Sequence, residues 1–263
     1  VSYLNAKPLI EGLHQQPGTE VRFDVPSHLL DDLLARRVDI ALCPVIDYFN
    51  AQHRLAIVPA GGICSAAQTF TVRLYSKQPL ELITAVHVDA DSHTSIVLMQ
   101  VLLHALFNIR PTLVPYNVGS ELAAHQPLLT VPAMLLIGDK VVTDGPSTLD
   151  YPHQLDLGQA WNKLTNLPFV FATWLAMKDQ NLGDLPARLA NQQQANDKKR
   201  DVIASQYAQR HHWPDDLARR YLCELLHYGI GDDEINAIQT FGRLAHELDL
   251  IPKPNPLTLR SIH

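Results

Sequence analysis

Seven consecutive residues, 38–44 (VDIALCP), form a near-continuous apolar run. A run this short cannot cross a membrane, and one this continuous does not suit a strand with one wet face. It predicts a strand buried on both faces of a parallel sheet. The chain before it supplies the rest of such a unit. Residues 1–4 (VSYL) read as a first strand and residues 5–8 as a turn. Pro8 suits the first turn of a helix whose apolar side is Leu9, Ile10 and Leu13. Residues 21–25 predict a second strand. Pro26 then opens a helix with Ser27 as its N-cap and Leu29, Leu30, Leu33 and Leu34 on one face. This β-α-β-α-β opening predicts a doubly wound α/β layout.

The layout repeats. A glycine-containing loop at 61–65 leads to a strand at 69–76 (TFTVRLYS), in which Phe70, Val72 and Leu74 alternate. A second α/β series follows: a strand at 85–88, a polar loop at 91–95, a helix at 96–106, and strands at 111–115 and 133–137. Residues 162–166 lead into another strand at 167–177 (LPFVFATWLAM). From residue 184 the chain turns helical. Residues 217–226 and 233–248 are amphipathic, with a break at Gly229 to Gly231, and the polar stretch 188–200 reads as a solvated helix face or loop. The expected architecture is two doubly wound lobes joined by two crossing strands. Residues 1–75 plus 173–263 form one lobe and residues 76–172 the other, with a ligand cleft between them. Ligands of open α/β sheets bind beyond the carboxyl ends of the strands, and both sets of ends face this cleft.

Composition narrows the class of ligand. The 263 residues carry a formal net charge of −6, which argues against a nucleic-acid partner. No stretch of 18 apolar residues exists, so no membrane span is expected. Cys43, Cys64 and Cys223 are odd in number and widely spaced, which predicts reduced thiols in a cytoplasmic protein rather than disulfides or a zinc site. The 13 histidines are scattered, with no metal-binding spacing. The chain opens without Met and without a basic and apolar leader. The first strand starts at Val1, so a few residues are expected to precede it.

Four polar clusters fall at the predicted strand ends. Asn5 follows the first strand; its amide can read a hydroxyl or a carboxylate, or simply close a turn. Ser92, Thr94 and Ser95 precede a helix, where they suit an anion at the positive helix end or an ordinary N-cap. Gly138 and Asp139 follow the strand at 133–137, Gly138 allowing close approach of a ligand and Asp139 able to cap the next helix. Ser65 lies on the loop before the first crossing strand and Thr71 on that strand, where a Thr is also a common structural residue. GxSxG, P-loop and GxGxxG motifs are absent from the sequence. The residues by themselves reach a cleft binder of a small polar or anionic molecule.

Five motifs in order resemble one family. They are YLNAKPL (3–9), VPSHLLDDLLARRVDIALCPV (25–45), SHTSIVLMQVLL (92–103), LLIGDKVV (135–142) and DLGQAWNKLTNLPFVFATWLA (156–176). Together they resemble the chorismate dehydratases of the futalosine route to menaquinone. The resemblance implies a type II periplasmic-binding-protein-like fold, no metal or organic cofactor, and chorismate as the small-molecule substrate, losing water to give 3-[(1-carboxyvinyl)oxy]benzoate. It places Asn5 and Thr71 near the reacting ring as catalytic residues. Ser65, Ser92, Thr94, Ser95, Gly138 and Asp139 would bind substrate. These positions offer no obvious general base, since Asn and Thr are not bases at neutral pH; the substrate's own enolpyruvyl carboxylate is one candidate proton acceptor, with the cleft enforcing the geometry. The chain departs from the family pattern at Ala67, where Gly is usual, and at Thr71, where Ser is usual. The bulk at Ala67 and Gln68 is expected to reshape the pocket. Alternatives of other kinds are a 1,4-dihydroxy-6-naphthoate synthase, whose opening motif differs from YLNAKPL, a transporter's solute-binding protein without chemistry, and a family member with altered activity.

Overall fold

The structure is a computed structural model that describes residues 3–24, 26–89, 92–115, 131–143 and 145–262. Val1, Ser2, Val25, the Ser27 cap and Asp91 lie outside the described residues.

Eight strands are described: β1 Ile40–Pro44, β2 Leu55–Ser65, β3 Val72–Ser76, β4 Ala85–Val88, β5 Thr112–Pro115, β6 Ala133–Ile137, β7 His153–Asp156 and β8 Phe169–Met177. Ten α-helices are formed among the described residues: α1 Lys7–Ile10, α2 Pro26–Leu34, α3 Val45–Asn50, α4 His93–Phe107, α5 Lys140–Thr143, α6 Leu157–Thr165, α7 Leu185–Asp197, α8 Arg200–Ala208, α9 Asp215–Arg220 and α10 Asp232–Glu247. The strands form two sheets. One is ordered β1-β8-β2, with β8 antiparallel to both neighbours. The other is ordered β5-β4-β6-β3-β7; β4 is parallel to β5 and β6, and β3 antiparallel to β6 and β7. No helix among the described residues is long and apolar enough to cross a membrane.

One apolar cluster runs through both sheets and joins α4, α6 and α10. Its aromatic centre is Trp161, Phe169 and Phe241, with ring centroids 5.0–6.0 Å apart in edge-to-face contact. The indole of Trp161 donates to the Pro168 carbonyl at 2.9 Å, so burying it leaves no orphan donor. A second cluster packs Leu4, Leu9 and Leu13 against α7 and α8, with Trp213, Tyr221 and Leu222. Each such fully buried side chain stabilises the fold by about 1.5–3 kcal/mol.

Several sequence expectations are corrected. Leu4–Ala6 is a 3-10 turn, not strand; it closes with Ala6 N–H donating to the Tyr3 carbonyl and buries Leu4 and Ala6. Residues 21–24 are irregular and mostly exposed, because no neighbouring strand among the described residues pairs with them. The buried run at β1 pairs antiparallel rather than parallel, since β8 threads between β1 and β2. Continuous apolarity reported burial on both faces but carried no information about direction. The expected loop at 61–65 belongs to β2, at an irregularity where the register with β8 shifts. There a Cβ on Gly62 would stand 2.7 Å from the Ala172 carbonyl oxygen, so glycine is what lets β2 approach β8. The helix expected from residue 96 starts at His93. The stretch 188–200 is mostly helix α7, and its Asn196 is fully buried, donating to the Pro8 and Glu11 carbonyls.

The chain leaves the first sheet after Ser65 and enters the second at Val72; it returns between Asp156 and Phe169. β3 thus lies wholly in the second sheet and β8 wholly in the first. The expected lobe boundaries at 75/76 and 172/173 fall at the end of β3 and inside β8. The crossings themselves are the loop 66–71 and a segment containing α6.

Candidate active site

The loop 66–71 has to carry polar groups across the gap between the sheets, and a single carboxylate shapes it. Asp156 ends β7 and is the N-cap of α6, accepting from Gln159 N at 3.0 Å. The same oxygen accepts from Thr69 N at 3.0 Å and the Thr69 hydroxyl at 3.3 Å. The other oxygen accepts from Phe70 N at 2.7 Å and stands 3.6 Å from an Arg73 guanidinium nitrogen. Two residues on, a Cβ at Gly158 would collide with Thr69 Cγ2 and stand 2.6 Å from the Ala67 carbonyl oxygen. The Asp-Leu-Gly of the motif is therefore a clamp and a gap that seat one crossing against the other. Ser65 completes the loop by donating to the Ala67 or Gln68 carbonyl, each 3.1 Å away.

Between the sheets lies a cleft that is open to solvent at its mouth. Leu42, Pro44, Ile63 and Phe171 line it from the first sheet, and Val72 and Ile137 from the second. Onto these apolar walls come Asn5, Thr71, Ser92, Thr94, Ser95 and Gly138, six of the expected site residues. The other two stand behind the wall. Ser65 is spent on its own loop. The Asp139 carboxylate faces away, 2.7 Å from His211 Nδ1 and accepting from the Trp213 indole at 3.1 Å. Ala67 and Gln68, expected to reshape the pocket, do not line it; Ala67 is exposed and Gln68 partly so, on the outer side of the loop.

Thr71 is held from both sides of its backbone. Its N–H donates to the Thr69 carbonyl and its carbonyl accepts from Gly138 N, both at 2.8 Å. Its hydroxyl shares a 2.6 Å hydrogen bond with the Tyr221 hydroxyl. Tyr221 is a cleft residue that sequence reasoning missed. Its ring stacks on Trp213 at 4.9 Å. Burial pushes its phenol far above the ordinary range, against the downward pull of hydrogen bonds with Thr71 and Asn5. The group therefore works as a neutral hydroxyl.

The start of α4 forms the opposite wall. Ser92 sits at the N-cap without a side-chain cap bond, and its hydroxyl is buried with no partner among the described residues. The Asn5 side-chain oxygen is likewise buried and unpartnered among the described residues. Thr94 Oγ1 accepts from Ile46 N at 3.2 Å, tying α4 to α3. The Nδ1 of His93, also on the wall, is 3.0 Å from Oδ1 of the buried Asp47. The Asp47–His93 pair had no sequence signal beyond an ionisable residue inside the Ser-x-Thr-Ser stretch, because its partner lies 46 positions away. Among the described residues no cluster of three or more His, Cys, Asp or Glu side chains could hold a metal ion.

A family model described as menaquinone biosynthesis matches residues 1–247. A curated relative named chorismate dehydratase, from Thermus thermophilus, is 29% identical over 186 residues, 65% of this chain; the match spans 66% of that relative's length. Among solved structures, a protein of Archaeoglobus fulgidus superposes with a TM-score of 0.69 at 14% identity, over 95% of this chain and 96% of that one. The alkanesulfonate-binding protein SsuA of Xanthomonas axonopodis pv. citri, bound to MOPS, gives a TM-score of 0.63 at 17% identity, over 95% and 90%. At such identities the likeness shows the fold, which is periplasmic-binding-protein-like as the motifs imply.

Proposed function

The chain belongs to the menaquinone-biosynthesis family, and on that ground we propose that it removes water from chorismate to give 3-[(1-carboxyvinyl)oxy]benzoate in this cleft. The name of the Thermus thermophilus relative supports the choice of reaction. The observation that carries it for this chain is the pair of buried, unpartnered polar atoms, Asn5 Oδ1 and Ser92 Oγ, on a cleft otherwise walled by apolar side chains. Leaving such an atom unsatisfied costs about 1–3 kcal/mol, a cost that a polar ligand removes on binding.

The geometry supports a role for each residue. The Ser92 and Ser95 hydroxyls and the first turn of α4 hold a substrate carboxylate, since helix geometry leaves first-turn N–H groups without intrahelical partners. Asn5 and the Thr71–Tyr221 hydroxyl pair face the ring hydroxyl. Elimination breaks the C3–H bond, its electron pair becomes the C3–C4 double bond, and the C4–O bond breaks. Tyr221, neutral through burial, donates rather than accepts in this step. The enolpyruvyl carboxylate of the substrate takes the C3 proton and passes it to the departing hydroxide, which leaves as water. Aromatisation supplies driving force, and orientation in a fixed cleft can supply roughly 7–11 kcal/mol of the barrier. The buried, unpaired thiols of Cys43 and Cys64 suit a cytoplasmic setting.

Incubating the purified protein with chorismate tests the proposal. A product lighter by one water, detected by mass, is the expected result. Chorismate returned unchanged at stoichiometric enzyme would refute it.

A further inference from the structure

Chorismate carries two carboxylates, yet the described cleft wall holds no Lys or Arg. Its one side chain able to carry positive charge is His93. Two cations on elements beside the cleft are engaged elsewhere: Lys140 with Asp89 at 2.5 Å, and Arg73 with Gln154 and Asp156. We propose that His93, held by Asp47, is the cationic group that binds a carboxylate of the substrate. The inference rests on reading the cleft as the chorismate site.

A cation at the first residue of α4 opposes the positive end of the helix and needs a counter-charge. Asp47 supplies it. Its carboxylate is 1% exposed and has Oδ1 3.0 Å from His93 Nδ1, while Oδ2 finds no partner among the described residues. A buried carboxylate so poorly satisfied is tolerable beside an opposite charge and costly beside a neutral ring. The pair also fixes the ring on the cleft wall next to Ser92, Thr94 and Ser95. Substrate carboxylate, imidazolium and Asp47 then form a row of alternating charge, and the hydroxyls and amides of the helix start complete the anion site. Of the titratable groups on the elements packed against α4, the exposed Glu81 belongs to the 3-10 turn Leu80–Leu82. α3 contributes Asp47 and the buried Tyr48; β1 has the buried thiol of Cys43; β8 has none; the Asp89–Lys140 pair lies just before the helix. α6 and α10 meet α4 in the apolar core.

A cation and a proton acceptor at this position leave opposite traces, so kinetics with chorismate decide between them. In the wild type, KM for chorismate is expected to rise with pH as the imidazolium is lost, with kcat little changed. His93→Gln should raise KM by about ten- to a hundredfold, the usual weight of a hydrogen bond to a charged group, and leave kcat within about threefold. His93→Arg keeps the charge; it should bring KM back to within about threefold of wild type and remove its dependence on pH. Asp47→Asn should raise KM in the same direction, as a positioning residue, with a thermal melt recorded for every variant. An unchanged KM in His93→Gln overturns the inference. So does a His93→Arg variant that folds but loses kcat, together with wild-type activity that fails on the acid side, which marks His93 as the base. Where a variant does not fold, the wild-type pH dependence of KM still decides. Wild-type protein that binds chorismate without releasing water would sink the proposed reaction while leaving the His93 binding test intact.

Discussion

Asp156→Asn probes whether one carboxylate holds the crossing loop in place. The substitution keeps the shape and removes the charge and one acceptor. Asn must turn its NH2 toward one of two sides. On the Oδ1 side it would face the Thr69 and Gln159 amides and the Thr69 hydroxyl. On the Oδ2 side it would face only Phe70 N, at 2.7 Å, with Arg73 beyond. The second arrangement loses less, but it sets two N–H donors against each other. A hydrogen bond to a charged group contributes about 1.5–3 kcal/mol, and the remaining bonds weaken when their acceptor becomes neutral. The sum is a loss of roughly 2–4 kcal/mol. For a chain of this size 1 kcal/mol shifts the melting temperature by about 2–4 °C, so the variant should melt roughly 5–15 °C lower. Hydrogen exchange locates the effect: the Phe70 amide should lose protection first. Chorismate turnover should fall as well, because the same loop carries Thr69 and Thr71 onto the cleft wall. A melting temperature within 2 °C of wild type, with the Phe70 amide still protected, would refute the clamp.

Tyr221→Phe removes the hydroxyl that shares a proton with Thr71 but keeps the ring stacked on Trp213. Steady-state kinetics should show kcat reduced by about ten- to a hundredfold, and the melt should show a loss of only about 1 kcal/mol, the net worth of one hydrogen bond; unchanged kcat would take Tyr221 out of the reaction. The buried thiols set an alkaline limit. Burial pushes the Cys43 and Cys64 thiols up and so suppresses their ionisation in the folded protein, while in the unfolded chain they ionise near pH ~8.5. The stability they support is present in full below that pH and is lost above it, because the unfolded chain then binds fewer protons. Urea unfolding between pH 8.5 and 10 should show stability falling by about 1 kcal/mol per pH unit for each thiol, and Cys43→Ala should lower that slope by one thiol's share; equal slopes would contradict the account.

What the sequence made readable was burial; what it withheld was partnership. β1, β4, β6 and β8 stand out because apolar runs report which segments lie inside. The antiparallel pairing of β1 with β8 does not, because a run buried on both faces looks the same whichever way its neighbour points. Helix α6 was hidden for a related reason. Asp156 reads as one polar residue in a motif, and only the fold shows that it caps that helix and the loop 66–71 together. The site divides along the same line. Asn5, Thr71, Ser92, Thr94, Ser95 and Gly138 reach the cleft because strand ends and helix starts open onto it. Asp139 occupies an equally good position by that rule, yet His211 and Trp213, more than seventy residues on, draw its carboxylate to the other side. Tyr221 and the Asp47–His93 pair were beyond any spacing rule, since their elements meet only in the folded chain.

The same distinction settles what the departures at Ala67 and Thr71 mean for the cleft. A loop that leans on glycine for its turn would be reshaped by side chains in its place. Here the turn is held instead by the Ser65 hydroxyl and by Asp156, through bonds to backbone atoms at 67–70 that any side chain permits. The one left-handed residue is Phe70, with φ +65°. The left-handed region costs a non-glycine residue about 1–2 kcal/mol, and the 2.7 Å bond from its N–H to the Asp156 carboxylate is large enough to offset it. Ala67 and Gln68 point away from the cleft, and Thr71 is pinned through its own backbone to Thr69 and Gly138. Replacing glycine at 67 therefore changes the outer face of the crossing, while the hydroxyl at 71 still reaches the wall and meets Tyr221. The clamp residue, not the loop's own composition, decides whether that hydroxyl arrives.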